Sequence, residues 1–316
     1  MNKPRVDLQD VNGVLLLDKP LGLTSQQAVA RVKRLFSARK AGHTGTLDPM
    51  ADGLLPIGLG EATKFSQFLL DADKGYLASI RLGTTTSTGD VEGEILEQRP
   101  VDVTEAEVRK VLQRFIGMQN QTPPMHSALK VAGKPLYAYA RAGVMVERQS
   151  RAIIIKDIQL IDFKENILNI RVLCSKGTYI RVLAEDIGSS LACGAHLTAL
   201  TRESAGGFTL AQATSCDTLE SLSLAERMDQ LLPVDAFASS LERIDLEADQ
   251  TRRIMTGQDV VQPAVPVGLY RLYDDQRAFF GVGEVESGVL KARRLTSQLQ
   301  GREKLEKNLS NPAVTG

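Results

Sequence analysis

Asp48 is the residue whose type and surroundings point most directly to chemistry. It lies in the glycine- and proline-rich segment 42–60, where Asp48 and Asp52 carry the only formal charges. A carboxylate fixed in an apolar loop is suited to act as a nucleophile or a base. Asp48 also precedes Pro49, and Asp-Pro pairs are ordinary turn formers. The segment therefore predicts a long structured loop, and it leaves both interpretations of Asp48 open.

Two tyrosines with basic neighbours are candidates to hold a nucleotide beside such a carboxylate. Tyr76 opens a predicted strand just after a lysine and a glycine, and Tyr179 stands two residues before Arg181. A tyrosine stacks on a base while nearby cations bind phosphate, although core packing explains a tyrosine equally well. Arg181 lies at the start of an apolar predicted helix, where it needs a carboxylate partner. Asp48 is a candidate for that partner, and the pair would keep its carboxylate ionised.

The elements that must position these residues mix helices and strands without a regular βαβ repeat. Alternating or apolar runs predict strands over 13–17, 76–82, 153–163, 167–173 and 197–202. Helices are predicted after Thr24, over 61–71, after the Thr104–Glu107 capping box, near 136–142 and over 178–191. This order favours an α+β fold. After Gly257 the sequence pattern changes to short strands separated by turn residues, which predicts a small β-rich domain with a boundary near 250.

The composition excludes several classes of protein. The 316 residues include 38 Lys or Arg and 38 Asp or Glu, with 43% hydrophobic residues, as in an ordinary globular protein. The three cysteines and three histidines show no C-x-x-C or H-x-x-x-H spacing, so we expect no disulfide framework and no metal site. The sequence also has no signal peptide, no apolar run long enough for a membrane span and no cofactor motif. We therefore expect a cytoplasmic protein without a cofactor.

The zero net charge conceals a segregated distribution. Residues 1–45 contain eight Lys or Arg against three Asp, whereas residues 216–250 contain nine acids against two arginines. Further basic stretches lie at 130–151 and 291–307. A single basic run is usually a solvated helix face, but several of them together favour a phosphate-binding surface.

Five ordered segments resemble the motifs of TruB-type tRNA pseudouridine synthases. They are GVLLLDKPLGLTS at 13–25, GHTGTLDPMADGLLPIGLGEATK at 42–64, KGYLASIRLGTTTSTGDVEGE at 74–94, QTPPMHSALKVAGKPLYAYARAG at 121–143, and CSKGTYIRVLAEDIG at 174–188 with AHLTALTRE at 195–203. The resemblance spans nearly the whole catalytic region of that family. It implies a mixed-sheet catalytic domain over 1–250 with a flexible, RNA-gripping insert at about 121–150. Residues 251–316 resemble a PUA domain, an RNA-binding β-barrel, more weakly.

The resemblance also implies roles for single residues. Asp48 would be the nucleophile, Tyr76 would lie against the target base and take part in removing the proton from C5, and Arg181 would pair with Asp48. Three residues would contact the extruded uridine or its neighbours, namely His43, Tyr179 and Leu200. Lys19 would support the catalytic loop. The implied reaction converts uridine 55 in the T loop of tRNA to pseudouridine. It uses base flipping, no cofactor and no metal, and we expect a monomer.

Three alternatives stay open at this point. The chain could be an RNA-binding or RNA-folding protein without catalysis, a guide-RNA-dependent relative of the dyskerin type, or a small-molecule phosphate-binding enzyme. The basic insert at 121–150 favours a protein that binds its substrate without a guide RNA. The last alternative rests only on an incomplete G-x-G-x-x-G match at 58–63.

Overall fold

The computed structural model describes residues 8–297. The first seven residues and the part of the predicted basic tail beyond 297 lie outside this range. The strands are β1 Gly13–Lys19, β2 Ala41–His43, β3 Ala51–Leu59, β4 Lys74–Leu82, β5 Thr84–Thr86, β6 Ile95–Gln98, β7 Gly117–Gln121, β8 Lys130–Val131, β9 Lys134–Pro135, β10 Arg151–Lys164, β11 Ile167–Cys174, β12 Ala195–Ala205, β13 Phe208–Thr209, β14 Thr214–Ser215, β15 Glu242–Asp245, β16 Val260–Val261, β17 Gly268–Tyr273, β18 Phe279–Glu286 and β19 Val289–Leu295.

The helices begin largely where the sequence predicts them. The α-helices are α1 Ser25–Leu35, α2 Ser66–Leu70, α3 Glu105–Arg114, α4 Leu136–Arg141, α5 Ile180–Ser190, α6 Cys216–Ser221, α7 Leu224–Met228 and α8 Ala248–Met255. Short 3₁₀ helices span Gly60–Phe65, Leu210–Gln212 and Val234–Ala238. Thr24 caps α1, and the Thr104–Glu107 capping box opens α3, so both predicted helix starts are confirmed. Within residues 8–297, no helix is long and apolar enough to cross a membrane.

One mixed sheet of ten strands, counted over the described residues, carries the main part of the molecule. Its order is β14-β1-β3-β12-β4-β11-β10-β7, with β13 beside β12 and β2 beside β3. The β1–β14 and β3–β12 pairs are parallel and the other pairs are antiparallel. Helices lie beside this sheet, and a smaller sheet follows it in the chain. The predicted α+β, mixed-sheet fold class is therefore confirmed.

Both faces of β1 are buried, which explains its uninterrupted apolar sequence. Leu15 and Leu17 pack into a core that includes residues of α1, α3 and α5. Val14 and Leu16 face the opposite way, into a second core with Phe65 and Val282. Because Val282 belongs to β18, this second core joins the main sheet to the C-terminal strands.

The segment 42–60 is not one long loop, as the sequence predicts, but a strand pair with a short loop. β2 and β3 pair with each other, and only residues 44–50 are irregular. The glycines of β3 allow close packing instead of turns: a Cβ at Gly58 would lie 2.8 Å from the Phe237 ring. Glycine in a strand often marks such a close approach.

The C-terminal sheet begins before the predicted boundary near 250. Five strands form it in the order β15-β17-β18-β19-β16, and β15 spans Glu242–Asp245. Its sequence ERID is too short and polar to show a clear strand pattern, and its parallel partner β17 lies about 25 residues further on. This small curved sheet is consistent with a PUA-like domain.

Candidate active site

Asp48 lies in the loop 44–50, which many hydrogen bonds fix in place. The Ser25 hydroxyl donates to the Leu47 carbonyl at 2.9 Å and accepts from the Leu47 amide at 2.8 Å. The Gly22 amide donates to the Pro49 carbonyl at 2.8 Å. Asp48 itself accepts a bond at its carbonyl from the Ala51 amide at 3.1 Å, so it also starts a turn. The turn interpretation and the carboxylate interpretation of Asp48 are thus compatible.

The predicted ion pair between Asp48 and Arg181 is present. Arg181 Nη2 lies 3.0 Å from Asp48 Oδ2, and Arg181 Nη1 lies 3.3 Å from Asp90 Oδ2. The Arg181 side chain is only 5% exposed, whereas that of Asp48 is 37% exposed. The guanidinium also donates to the carbonyls of Thr88 at 3.2 Å and His126 at 2.7 Å. Arg181 therefore holds the carboxylate of Asp48 at an accessible surface while remaining buried itself.

Asp48 and Arg181 border a cavity of about 320 Å³ that contains most of the predicted site residues. Tyr76 on β4, Leu200 on β12 and Tyr179 at the start of α5 line it. Burial raises the pKa of the Tyr76 hydroxyl, so this group stays protonated at neutral pH. The cavity thus presents one carboxylate and two aromatic rings among several apolar and basic side chains.

His43 lies in a neighbouring cavity of about 600 Å³ that shares Asp48 and Arg181 with the first. It is the last residue of β2, and its Nδ1 accepts a hydrogen bond from the Gly45 amide at 3.3 Å. Burial lowers the pKa of the imidazole, which favours the neutral form. His43 is therefore close to the carboxylate but not in the tyrosine-lined cavity.

Lys19 is fully buried and lines neither cavity, so direct contact with a substrate does not fit this structure. Its ammonium donates to the carbonyls of Pro20 at 2.9 Å and Leu23 at 2.7 Å. The turn that it holds contains Gly22, which binds the loop next to Asp48. Burial lowers the pKa of Lys19. This placement agrees with the supporting role implied for Lys19.

Sequence reasoning missed two polar residues at this site, whereas it indicated Lys74 as the basic neighbour of Tyr76. Asp90 is the second, buried partner of Arg181. Arg202 is 1% exposed and binds the loop carbonyls of Gly45 and Thr46. Lys74 lines the first cavity, and burial lowers its pKa to about 8. Asp90 lies outside the named strands and Arg202 lies within β12, so no local sequence pattern marked either residue.

The described part of the chain holds no cluster of His, Cys, Asp or Glu suited to bind a metal ion. What the site offers is a carboxylate paired with a buried arginine, in a cavity with further cations around it. Such an arrangement suits covalent or electrostatic chemistry on a bound nucleotide.

Comparison with known proteins decides the family. Residues 33–180 match the model of the TruB family pseudouridylate synthase N-terminal domain, and residues 181–245 and 243–296 match two TruB C-terminal models. The chain is 53% identical to tRNA pseudouridine synthase B of Methylobacillus flagellatus over 292 residues, which cover 92% of this chain and 97% of that relative. The chain belongs to the TruB family of pseudouridine synthases. It is therefore an enzyme of the isomerase class.

Other TruB relatives and solved structures agree with this assignment. The tRNA pseudouridine synthase B of Azoarcus sp. is 50% identical, with 92% of this chain and 97% of that relative covered. Among solved structures, a Cbf5-Nop10-Gar1 complex matches with a TM-score of 0.68 at 25% identity, covering 94% of this chain and 86% of that one. An H/ACA RNP bound to a substrate RNA containing 2′-deoxyuridine also has a TM-score of 0.68, at 23% identity, with coverages of 90% and 84%. The structural matches establish the shared fold.

Proposed function

We propose that this TruB-family enzyme converts a uridine of tRNA to pseudouridine, with Asp48 as the nucleophile. One observation carries the proposal: the Asp48 carboxylate, paired with Arg181, borders a cavity lined by Tyr76, Tyr179 and Leu200. The names of the relatives, which are about half identical to this chain, support tRNA as the substrate.

The isomerisation needs little beyond what these residues supply. The N1–C1′ bond of uridine breaks, the base turns, and a C5–C1′ bond forms; C5 loses a proton and N1 gains one. The Asp48 carboxylate bonds to C1′ or to the base in between and is released at the end. Nothing is oxidised and no energy donor is consumed. The uridine must leave its stack, which costs a few kcal/mol, and the tyrosines offer surfaces that stack on it.

The finer substrate assignment is uridine 55 in the T loop, acted on by a monomer without guide RNA. The insert at 121–150 supports this part of the proposal because it places Ser127 and Ala128 in both cavities and Tyr137 and Arg141 in the second. An RNA strand at Asp48 would thus contact a wall supplied by the chain itself. Incubation with an unmodified tRNA transcript and no other component tests it. Pseudouridine at that one position is expected, and its formation only with an added guide RNA would contradict it.

Replacing the nucleophile tests the chemistry. Asp48→Asn should lower turnover by about 10⁴-fold or more, because an uncharged amide is a far weaker nucleophile than a carboxylate. Tritium release from C5-labelled T-arm RNA measures turnover, and filter binding should show RNA affinity within about threefold of wild type. Asp102→Asn, at an exposed position before α3, is the matched control and should be fully active. Normal turnover in Asp48→Asn would refute this mechanism.

A further inference from the structure

Arg202 is a buried cation with no carboxylate partner within residues 8–297. It is among the largest fully buried side chains described and is 1% exposed. A buried charge costs several kcal/mol unless hydrogen bonds or an opposite charge offset that cost. The contacts that Arg202 does make are therefore informative about its role.

All of its hydrogen bonds go to the loop that carries Asp48. Arg202 Nη1 and Nη2 donate to the Gly45 carbonyl at 3.3 Å, and Nη2 also donates to the Thr46 carbonyl at 3.0 Å. These carbonyls stand two and three residues before the nucleophile. Arg202 Nε is buried and has no partner within the described residues. The backbone acceptors of the guanidinium thus all belong to the loop.

The same guanidinium lies over the ring of Tyr76, with 5.8 Å between Cζ and the ring centroid. Arg202 and Tyr76 are register partners on β12 and β4, and Arg202 also pairs with Gly53 on β3. A Cβ at Gly53 would lie 2.5 Å from the Arg202 carbonyl, so the backbones are in close contact there. Arg202 is therefore fixed by two strands, and its side chain reaches from the Tyr76 ring to the Asp48 loop.

We propose that Arg202 is a positioning residue that holds the Asp48 loop and the Tyr76 ring in one geometry for isomerisation. Without it, the loop carbonyls lose a charged donor and the ring loses the cation on its face. RNA binding still has the rest of the surface, so the fault appears in the reaction and not in binding. This inference rests on the proposed function. Failure of the wild-type enzyme to form pseudouridine would refute that function, whereas the variants below test Arg202 alone.

Two substitutions at position 202 separate positioning from folding. Arg202→Met keeps much of the side-chain volume without the charge, and we expect kcat to fall about 100-fold, since a misplacement of about 1 Å costs that much. The KM for tRNA should change less than about threefold. Arg202→Lys restores the charge but not the planar donor pair, and its kcat should be about tenfold higher than that of Arg202→Met. A folded Arg202→Met enzyme with kcat within twofold of wild type overturns the proposal. Equal losses in both variants together with a large fall in Tm indicate a structural role and overturn it as well.

Gly45→Ala tests the same contact from the loop side, and it also serves if Arg202→Met does not fold. Gly45 has φ +126°, a backbone conformation that alanine rarely adopts, so the substitution shifts the carbonyl to which Arg202 donates; the added Cβ itself would lie 3.5 Å from Arg202 Nη1, an ordinary contact. Gly117→Ala is the matched control, because Gly117 has φ +103° and no heavy atom near its Cβ position. We expect Gly45→Ala, but not Gly117→Ala, to lower kcat at least tenfold. In the double variant Gly45→Ala with Arg202→Lys, the fold-decrease in kcat should be smaller than the product of the two single decreases. Full activity of Gly45→Ala contradicts the proposal. So does a double variant whose decrease in kcat equals the product of the two single decreases.

Discussion

The two walls of the tyrosine-lined cavity are built in opposite ways. One wall is the central sheet, where Tyr76, Leu200 and Arg202 are fixed by the β4–β12 register. The other wall is the insert at 121–150, where Ser127 and Ala128 lie between short elements. Long-range strand pairing fixes the first wall, whereas few bonds anchor the second to the sheet domain. The contrast suggests that the sheet wall determines the chemistry and the insert wall determines how RNA is held.

Arg181 joins these two walls, and among changes to the walls its loss should have the largest effect. In Arg181→Met the buried carboxylate of Asp90 loses its cation, and the insert loses the bond to the His126 carbonyl. Breaking a buried pair costs about 3–5 kcal/mol. We expect kcat to fall at least about 10³-fold, KM for tRNA to rise, and the free energy of unfolding to drop by that amount. Steady-state kinetics and urea titration measure these changes.

Arg171→Met is the control for Arg181→Met. Arg171 forms a pair with Glu203 at 2.7 Å, but its side chain is half exposed. An exposed pair contributes about 0–1 kcal/mol, so stability and turnover should change little. If both arginine variants lost stability equally, the burial of Arg181 would not be what makes it important.

A change confined to the insert should alter binding and leave chemistry intact. Arg141 is exposed on α4, lines the larger cavity, and stacks on Tyr137 with 5.5 Å between Cζ and the ring centroid. Arg141→Ser should raise the KM for tRNA several-fold, because it removes one cation that can bind phosphate. The KM should not become more dependent on salt, and kcat should stay unchanged. Arg114→Ser, an exposed change on α3, is the control. A fall in kcat with unchanged KM would break the division between the walls.

The smallest effect is expected from pH at His43. Because burial lowers the pKa of the His43 imidazole below its usual 6.5, the neutral form already predominates at pH 6.5 and increases further as the pH rises. Turnover at saturating tRNA should therefore vary less than about twofold between pH 7 and pH 8.5 on account of this group. A pH–rate profile of wild type and His43→Gln measures it. A step in this range that disappears in His43→Gln would show that His43 keeps a proton, contrary to its burial.

The sequence predicted those parts of the site that depend on local pattern. The Asp48–Arg181 pair was foreseeable because an arginine at the start of an apolar helix needs a carboxylate. The capped starts of α1 and α3 were likewise visible in a few neighbouring residues. The helix starts depend on short segments of chain. The Asp48–Arg181 pair joins distant segments, and it could be predicted only because the local patterns around both residues left each a candidate partner for the other.

The missed features depend on contacts between distant segments. In the sequence Asp90 looks like a turn residue. It becomes a buried partner only because the fold brings it next to Arg181, which is 91 residues away along the chain. Arg202 reaches back to Gly45 across 157 residues. Glycine and proline disfavour strands, so the composition of 51–59 predicts a loop; in the strand β3 that forms there, Gly53 and Gly58 leave room for Arg202 and Phe237. Close packing by distant side chains cannot be seen in local composition.

The second core has a consequence for how the molecule unfolds. Val14 and Leu16 of the main sheet share it with Phe65, and the ring of Phe65 contacts that of Phe279 from the C-terminal sheet at 5.0 Å. Removing the C-terminal strands would therefore bare an apolar face of the strand next to the Asp48 loop. The two sheets should lose structure in a single cooperative transition, so heat or denaturant that loosens the C-terminal sheet inactivates the site at Asp48 at the same midpoint.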